Sequence, residues 1–131
     1  MSLPHRPLSP HLGIYKLPIT ALLSISHRIT GLLLSLGLVL LLATLLSVAH
    51  GETSYLLLQQ CLRAWWGRAL LGLGFAALFL HWSHGIRHLL MDCGLGLQKK
   101  DLSRYAAWEI GATVLLTLSA LALLNGETLW L

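Results

Sequence analysis

The chain has 131 residues, of which 56% are hydrophobic and 11% charged, with a formal net charge of +4. One domain is the natural count at this length, and so apolar a balance excludes a soluble globular domain and points to a membrane. The positive charge forms no basic run and no basic face with interleaved aromatics, so a nucleic-acid partner is not expected.

Residues 1–18 carry all four prolines, Pro4, Pro7, Pro10 and Pro18. Each lacks an N–H donor and pushes the preceding residue out of the helical region, which predicts an extended lead-in. There is no apolar core of the secretory type and no Arg/Ser-rich amphipathic pattern of the transit type. A bacterial protein is the preferred reading, with a processed mitochondrial one as the alternative.

Residues 19–48 are almost continuously apolar and exceed the roughly 20 residues that cross a bilayer, which predicts the first transmembrane helix. His50, Gly51, Glu52, Thr53 and Ser54 break the pattern. A short semi-polar piece follows, ending at Trp65 and Trp66, whose amphipathic rings suit a membrane interface. A second span is predicted over 66–91. After a loop with Gly94, Gly96, Lys99, Lys100 and Asp101, a third covers 105–125. The fold class expected is therefore an all-α membrane protein, one domain over 1–131 with three transmembrane helices.

Arg6, Lys16, Arg28, Arg87, Lys99, Lys100 and Arg104 lie on one side of this arrangement, and only Arg63 and Arg68 on the other. That asymmetry predicts a cytoplasmic amino terminus and second loop. Cys61 and Cys93 then sit near opposite surfaces, so neither a disulfide between them nor a cysteine metal site is expected.

Two stretches place ionisable groups inside the spans, where each costs roughly 2.5 to 3.5 kcal/mol near a helix centre and so marks a protein-facing or functional position. In the first helix, Ser24, His27, Arg28, Gly31 and Ser35 share one face. Arg28 and His27 supply hydrogen-bond donors and Ser24 a hydroxyl that can donate or accept, a group suited to a quinone carbonyl, which must be protonated as electrons arrive. Snorkelling of Arg28 to headgroups, with His27 bonded to a neighbouring helix, is the bland alternative.

The second stretch, 81–94, reads H-W-S-H-G-I-R-H-L-L-M-D-C-G. His81, His84, Gly85, His88 and Asp92 fall on one stripe that continues back through Ala77, Gly74, Leu70 and Gly67, while Arg87 lies off it. Small residues behind several imidazoles suit a face packed on a cofactor or another helix. Neutral imidazole is a good axial ligand for haem iron in an apolar bundle, yet an intramembrane histidine also serves as a helix–helix hydrogen-bonding group. Glu109, in the first turns of the third span, is read as structural, pairing with Arg104 or favouring the helix start.

The pattern of a histidine, three residues, then G-I-R-H-L and D-x-G closely resembles the cytochrome b membrane-anchor subunits of succinate dehydrogenase, respiratory complex II. R-P-L-S-P-H-L-x-I-Y over 6–15 and S-x-x-H-R-x-[ST]-G over 24–31 are similar to two further motifs of that family. The resemblance implies that His81 is the axial ligand of a b-type haem and that Ser24 and Arg28 belong to a ubiquinone site. His27, Arg87 and His88 would lie near the haem propionates, with Asp92 holding one of the last two.

His84 departs from the family pattern. One turn from His81 on the same face, it cannot reach the opposite axial position, and a hydrogen-bonding or pocket-lining role is expected. The second ligand would come from a second small membrane-anchor subunit. The remaining partners implied are an iron–sulfur subunit, a flavoprotein subunit and the lipid bilayer of a bacterial cytoplasmic membrane. The chain has no dinucleotide fingerprint and no iron–sulfur cysteine set, so succinate oxidation would occur on other subunits. A haem-free structural anchor and a small proton-coupled transporter remain as alternatives; the absence of internal repeats argues against the second.

Overall fold

The computed structural model describes residues 16–125, a span that leaves the proline-rich motif over 6–15 outside it. Four helices follow in order: α1 Ile19–His50, α2 Glu52–Arg63, α3 Trp65–Asp92 and α4 Lys99–Asn125. Three of them are long and apolar enough to cross a membrane by length and composition. The chain is thus an all-α membrane protein.

Pro18 sets the start of α1. Its backbone is extended, and its carbonyl accepts from the N–H groups of Ala21 and Leu22, so the ring sits just ahead of the first turn. The semi-polar connection, expected as loop, is helical instead: α2 is amphipathic and is joined to α1 through Gly51 alone. A lone Ala64 in extended conformation then turns the chain into α3. Gly67 makes that corner possible, because a Cβ there would collide with the backbone of Cys61 and Leu62. The last helix begins at Lys99, ahead of the expected start at 105, since K-K-D-L-S-R contains no breaker and the Gln98 carbonyl caps the first turn.

α3 packs along both α1 and α4 and is the central element. The neighbours of α1 on α3 run in opposite chain order, with His27 near His88 and Gly31 near His81, so the two helices are antiparallel. Glu109 meets Arg87 while Leu121 meets Gly72, which makes α4 antiparallel to α3 as well.

Very little of this bundle is interior. Among the described residues the buried side chains are Leu23, Ala77 and Ala106, which are apolar, and Thr30, His84 and Glu109, which are not. The most apolar window of α1 contains no buried residue. A soluble domain buries apolar groups and exposes polar ones; here leucines face outward, where lipid or a partner helix would lie, and the polar groups are turned inward. Every described polar side-chain atom that is buried has a hydrogen-bond partner. Both cysteines are exposed and free.

Candidate functional site

The site lies where one end of α1 meets one end of α3. His27 from α1 faces three histidines of α3, spaced so that all can reach it. Its ring stacks on His81 with centroids 3.9 Å apart and planes inclined by 11°. His84 lies 4.7 Å away and His88 5.9 Å away, both tilted, and these two meet edge-on at 4.8 Å. Histidines at i, i+3 and i+7 project from one face of α3, which accounts for the convergence.

His81 is held by α1. Its Nδ1 lies 3.1 Å from the His27 carbonyl oxygen and 3.2 Å from the Thr30 hydroxyl, which itself donates to the same carbonyl at 2.9 Å. A carbonyl can only accept, so the proton sits on Nδ1 and the lone pair of a neutral His81 is on Nε2. Gly31 permits this approach: a Cβ there would lie 3.1 Å from His81 Cε1.

Beyond His81 a cavity of about 570 Å³ opens between α1 and α3, lined by Gly31, Ser35, Gly37, Gly74 and Leu78 among others, with His81 its sole ionisable group. Its size lies within the roughly 300–1,000 Å³ typical of cofactor and ligand pockets. Gly37 and Gly74 have nothing within 4 Å of where a Cβ would stand, which leaves the slot wide. No set of three His, Cys, Asp or Glu among the described residues is disposed to hold a bare metal ion. The rings pack face and edge rather than aiming nitrogens at one point.

His84 is held by α4. Its Nδ1 lies 2.6 Å from Glu109 Oε1, and Arg87 donates from a guanidinium nitrogen 3.4 Å from Glu109 Oε2. This corrects two expectations. Glu109 pairs with α3 rather than with Arg104, because its position on α4 faces inward. Arg87 turns to Glu109 on α4, while Asp92 is exposed at the end of α3. Nor does Arg87 snorkel, as its side chain is only 11% exposed.

The remaining residues lie at the rim. Ser24 is half-buried one turn before His27, and Arg28 is exposed with no ion-pair partner among the described residues. His88 is exposed beside the ring cluster. The structure therefore brings His27, His81, His84 and His88 together, and sets Ser24, Arg28 and Asp92 around them. Sequence reasoning did not single out Thr30, and took Glu109 as structural. Glu109 carried a usable signal, since it is the only acid within 105–125. An intramembrane carboxylate is by default a functional position in need of a partner.

Residues 2–120 match the succinate dehydrogenase/fumarate reductase transmembrane subunit family. The succinate dehydrogenase cytochrome b556 subunit of Paracoccus denitrificans is 35% identical over 117 residues, covering 89% of this chain and 90% of the relative. The cytochrome b560 subunit of Reclinomonas americana is 36% identical over 121 residues, with 88% and 84% covered. The human mitochondrial cytochrome b560 subunit is 37% identical over 123 residues, with 91% and 72% covered. A match of this extent shows that the chain belongs to the succinate dehydrogenase/fumarate reductase transmembrane subunit family.

Proposed function

We propose that the chain anchors a succinate:quinone oxidoreductase in the membrane, supplies one axial ligand to a b-type haem and contributes to a ubiquinone-reducing site. The observation that carries this reading is the fixed tautomer of His81 at the mouth of the cavity. A ligand imidazole that donates its other N–H to a carbonyl is oriented and made more basic, the usual outer-shell arrangement around a metal.

The residues fit a haem. His81 Nε2 is the ligating atom, the slot beside Gly31 and Gly74 takes the apolar macrocycle, and the cluster of His27, His84, Arg87 and His88 is the polar end, near the propionates. When bound, the haem supplies one-electron redox chemistry whose potential is tuned by its ligands and the dryness of the site. The slot is open on the outer side of the α1–α3 pair, and the second ligand comes from a second small anchor subunit seated there.

Ser24 and Arg28 bind the quinone. Their O–H and N–H groups donate to its carbonyl oxygens, whose basicity rises as two electrons arrive, and two protons complete the quinol. Both lie within one turn of His27 on α1, which supports a quinone at the polar end of the cluster. The electrons come from succinate through a flavoprotein and an iron–sulfur subunit docked on the cytoplasmic face, where the amino terminus and the α3–α4 loop lie. The bacterial cytoplasmic membrane is the location proposed.

The test is a reduced-minus-oxidised optical spectrum of the complex purified with its natural partners, for wild type and His81→Ala. A b-type signal lost in the variant while the subunits still co-purify supports the assignment. An unchanged signal moves the ligand to another residue, and a wild-type complex without haem absorbance makes the chain a haem-free anchor.

A further inference from the structure

Glu109 is a buried acid, the only one among the described residues, for which the proposed haem and quinone chemistry has no use. Its side chain is 3% exposed, in the middle of an α3–α4 contact, and that of His84 is 4% exposed. Both carboxylate oxygens are engaged, Oε1 by His84 and Oε2 by Arg87. A paired charge inside a membrane bundle is costly to bury and is weak evidence for stability alone, since an apolar pair of similar volume serves packing as well or better. Its specific consequence is directional. With Nδ1 fixed on the carboxylate, the His84 ring has one orientation, and its other edge is turned to the rest of the cluster.

That cluster leads to His81. The His84 ring is 4.7 Å from His27 and 4.8 Å from His88, and His27 in turn stacks on His81 at 3.9 Å while its carbonyl accepts from His81 Nδ1. A continuous series of contacts therefore runs from α4, through the His84 and His27 rings, to His81 on α3. Arg87, held on Oε2, balances the carboxylate and is kept from swinging toward the rim.

We infer that Glu109 is a positioning residue for the haem pocket: acting through His84, it sets the plane of His27 against which the ligand His81 is stacked. This rests on the haem reading of His81 given above. It extends to α4 a site that the sequence motifs place on α1 and α3 only, in the way that carboxylate–histidine pairs orient ligands around other metals.

The experiment uses the assembled complex, purified with its partners, in four forms: wild type, Glu109→Gln, His84→Asn and the double variant. Haem content per complex, the electron paramagnetic resonance of the oxidised haem and its midpoint potential are read in each. Expected is a shifted resonance in Glu109→Gln and a change of about threefold or more in the reduction equilibrium, about 28 mV for one electron, at unchanged haem content. His84→Asn shifts in the same sense, and the double variant shifts no further than either single one, because the carboxylate acts through the imidazole.

Glu109→Gln with wild-type resonance and potential overturns the inference, even if less complex assembles, since a mere clamp between helices changes yield and not the haem signature. Effects that add in the double variant also overturn it, because the carboxylate would then act independently of His84. If Glu109→Gln does not assemble, Glu109→Asp, which keeps the charge and withdraws it by one methylene, is read against the same two outcomes. A wild-type complex without haem overturns the haem reading and this inference with it.

Discussion

His81 and His84 are the same residue type, one helical turn apart on the same stripe of α3, and they are bound by opposite neighbours. His81 leans on α1: it is half-buried, bonded to a main-chain carbonyl and a hydroxyl, and open on its far side to a cavity. His84 leans on α4: it is buried and bonded at 2.6 Å to a carboxylate. A carbonyl acceptor on Nδ1 leaves Nε2 turned away from α1, which suits metal ligation. A short hydrogen bond to a buried carboxylate fixes the ring in one orientation. What distinguishes the two histidines is therefore the atom each finds on the adjacent helix.

Removing each partner in turn breaks the comparison, with effects that descend in size. His81→Ala is expected to abolish the b-type haem signal, whereas His84→Ala is expected to retain it with an altered spectrum. Optical difference spectra of the two purified complexes decide, and equal losses would mean that the histidines are interchangeable.

Glu109→Ala leaves His84 without its buried acceptor and Arg87 without its counter-charge. Breaking such a buried pair costs about 3–5 kcal/mol, so thermal dissociation of the complex is expected well below the wild-type temperature. Asp92→Ala, at an exposed position, is expected to leave it unchanged.

Gly31→Val tests the other side. Its Cβ would stand 3.1 Å from His81 Cε1, and the added methyls reach into the slot. Overpacking of this kind costs about 1–3 kcal/mol, and the haem-to-protein ratio should fall while the subunits still co-purify. Gly37→Ala, which meets nothing within 4 Å, is the matched control.

Thr30→Val is expected to have the smallest effect. It deletes one of two acceptors near His81 Nδ1 and keeps the shape, a change of about 0.5–1.5 kcal/mol, because the His27 carbonyl remains. A modest rise in haem loss on dilution, without a change of ligand, is the expected reading. Complete loss of haem would make the hydroxyl, and not the carbonyl, the group that holds the tautomer.

Helical periodicity placed His81, His84 and His88 on one face of the second span and His27 on a face of the first, and those four rings do meet. Regular backbone geometry makes such inferences possible, since 3.6 residues per turn relates neighbours along a helix whatever surrounds it. The same reasoning set Arg87 off the stripe, with the family resemblance giving it to the haem propionates and snorkelling to headgroups as the alternative. It could not tell which groups Glu109 would meet, because the rotation of α4 about its own axis is decided by packing against α3. Likewise the piece after Gly51 read as loop from its polar residues, yet E-T-S-Y-L-L-L-Q-Q-C-L-R has an amphipathic pattern that closes as α2 once α1 and α3 lie beside it.

The amino-acid sequence by itself determined the environment, the number of spans and which residue types had to be hidden. These follow from the cost of exposing polar groups to hydrocarbon, which depends on composition and local spacing alone. Only the tertiary structure decided which atom each hidden group would meet: the His27 carbonyl for His81, the Glu109 carboxylate for His84 and Arg87, and empty space beside Gly37 and Gly74. Those choices depend on how three helices are rotated and shifted against one another, a long-range property that no local periodicity encodes.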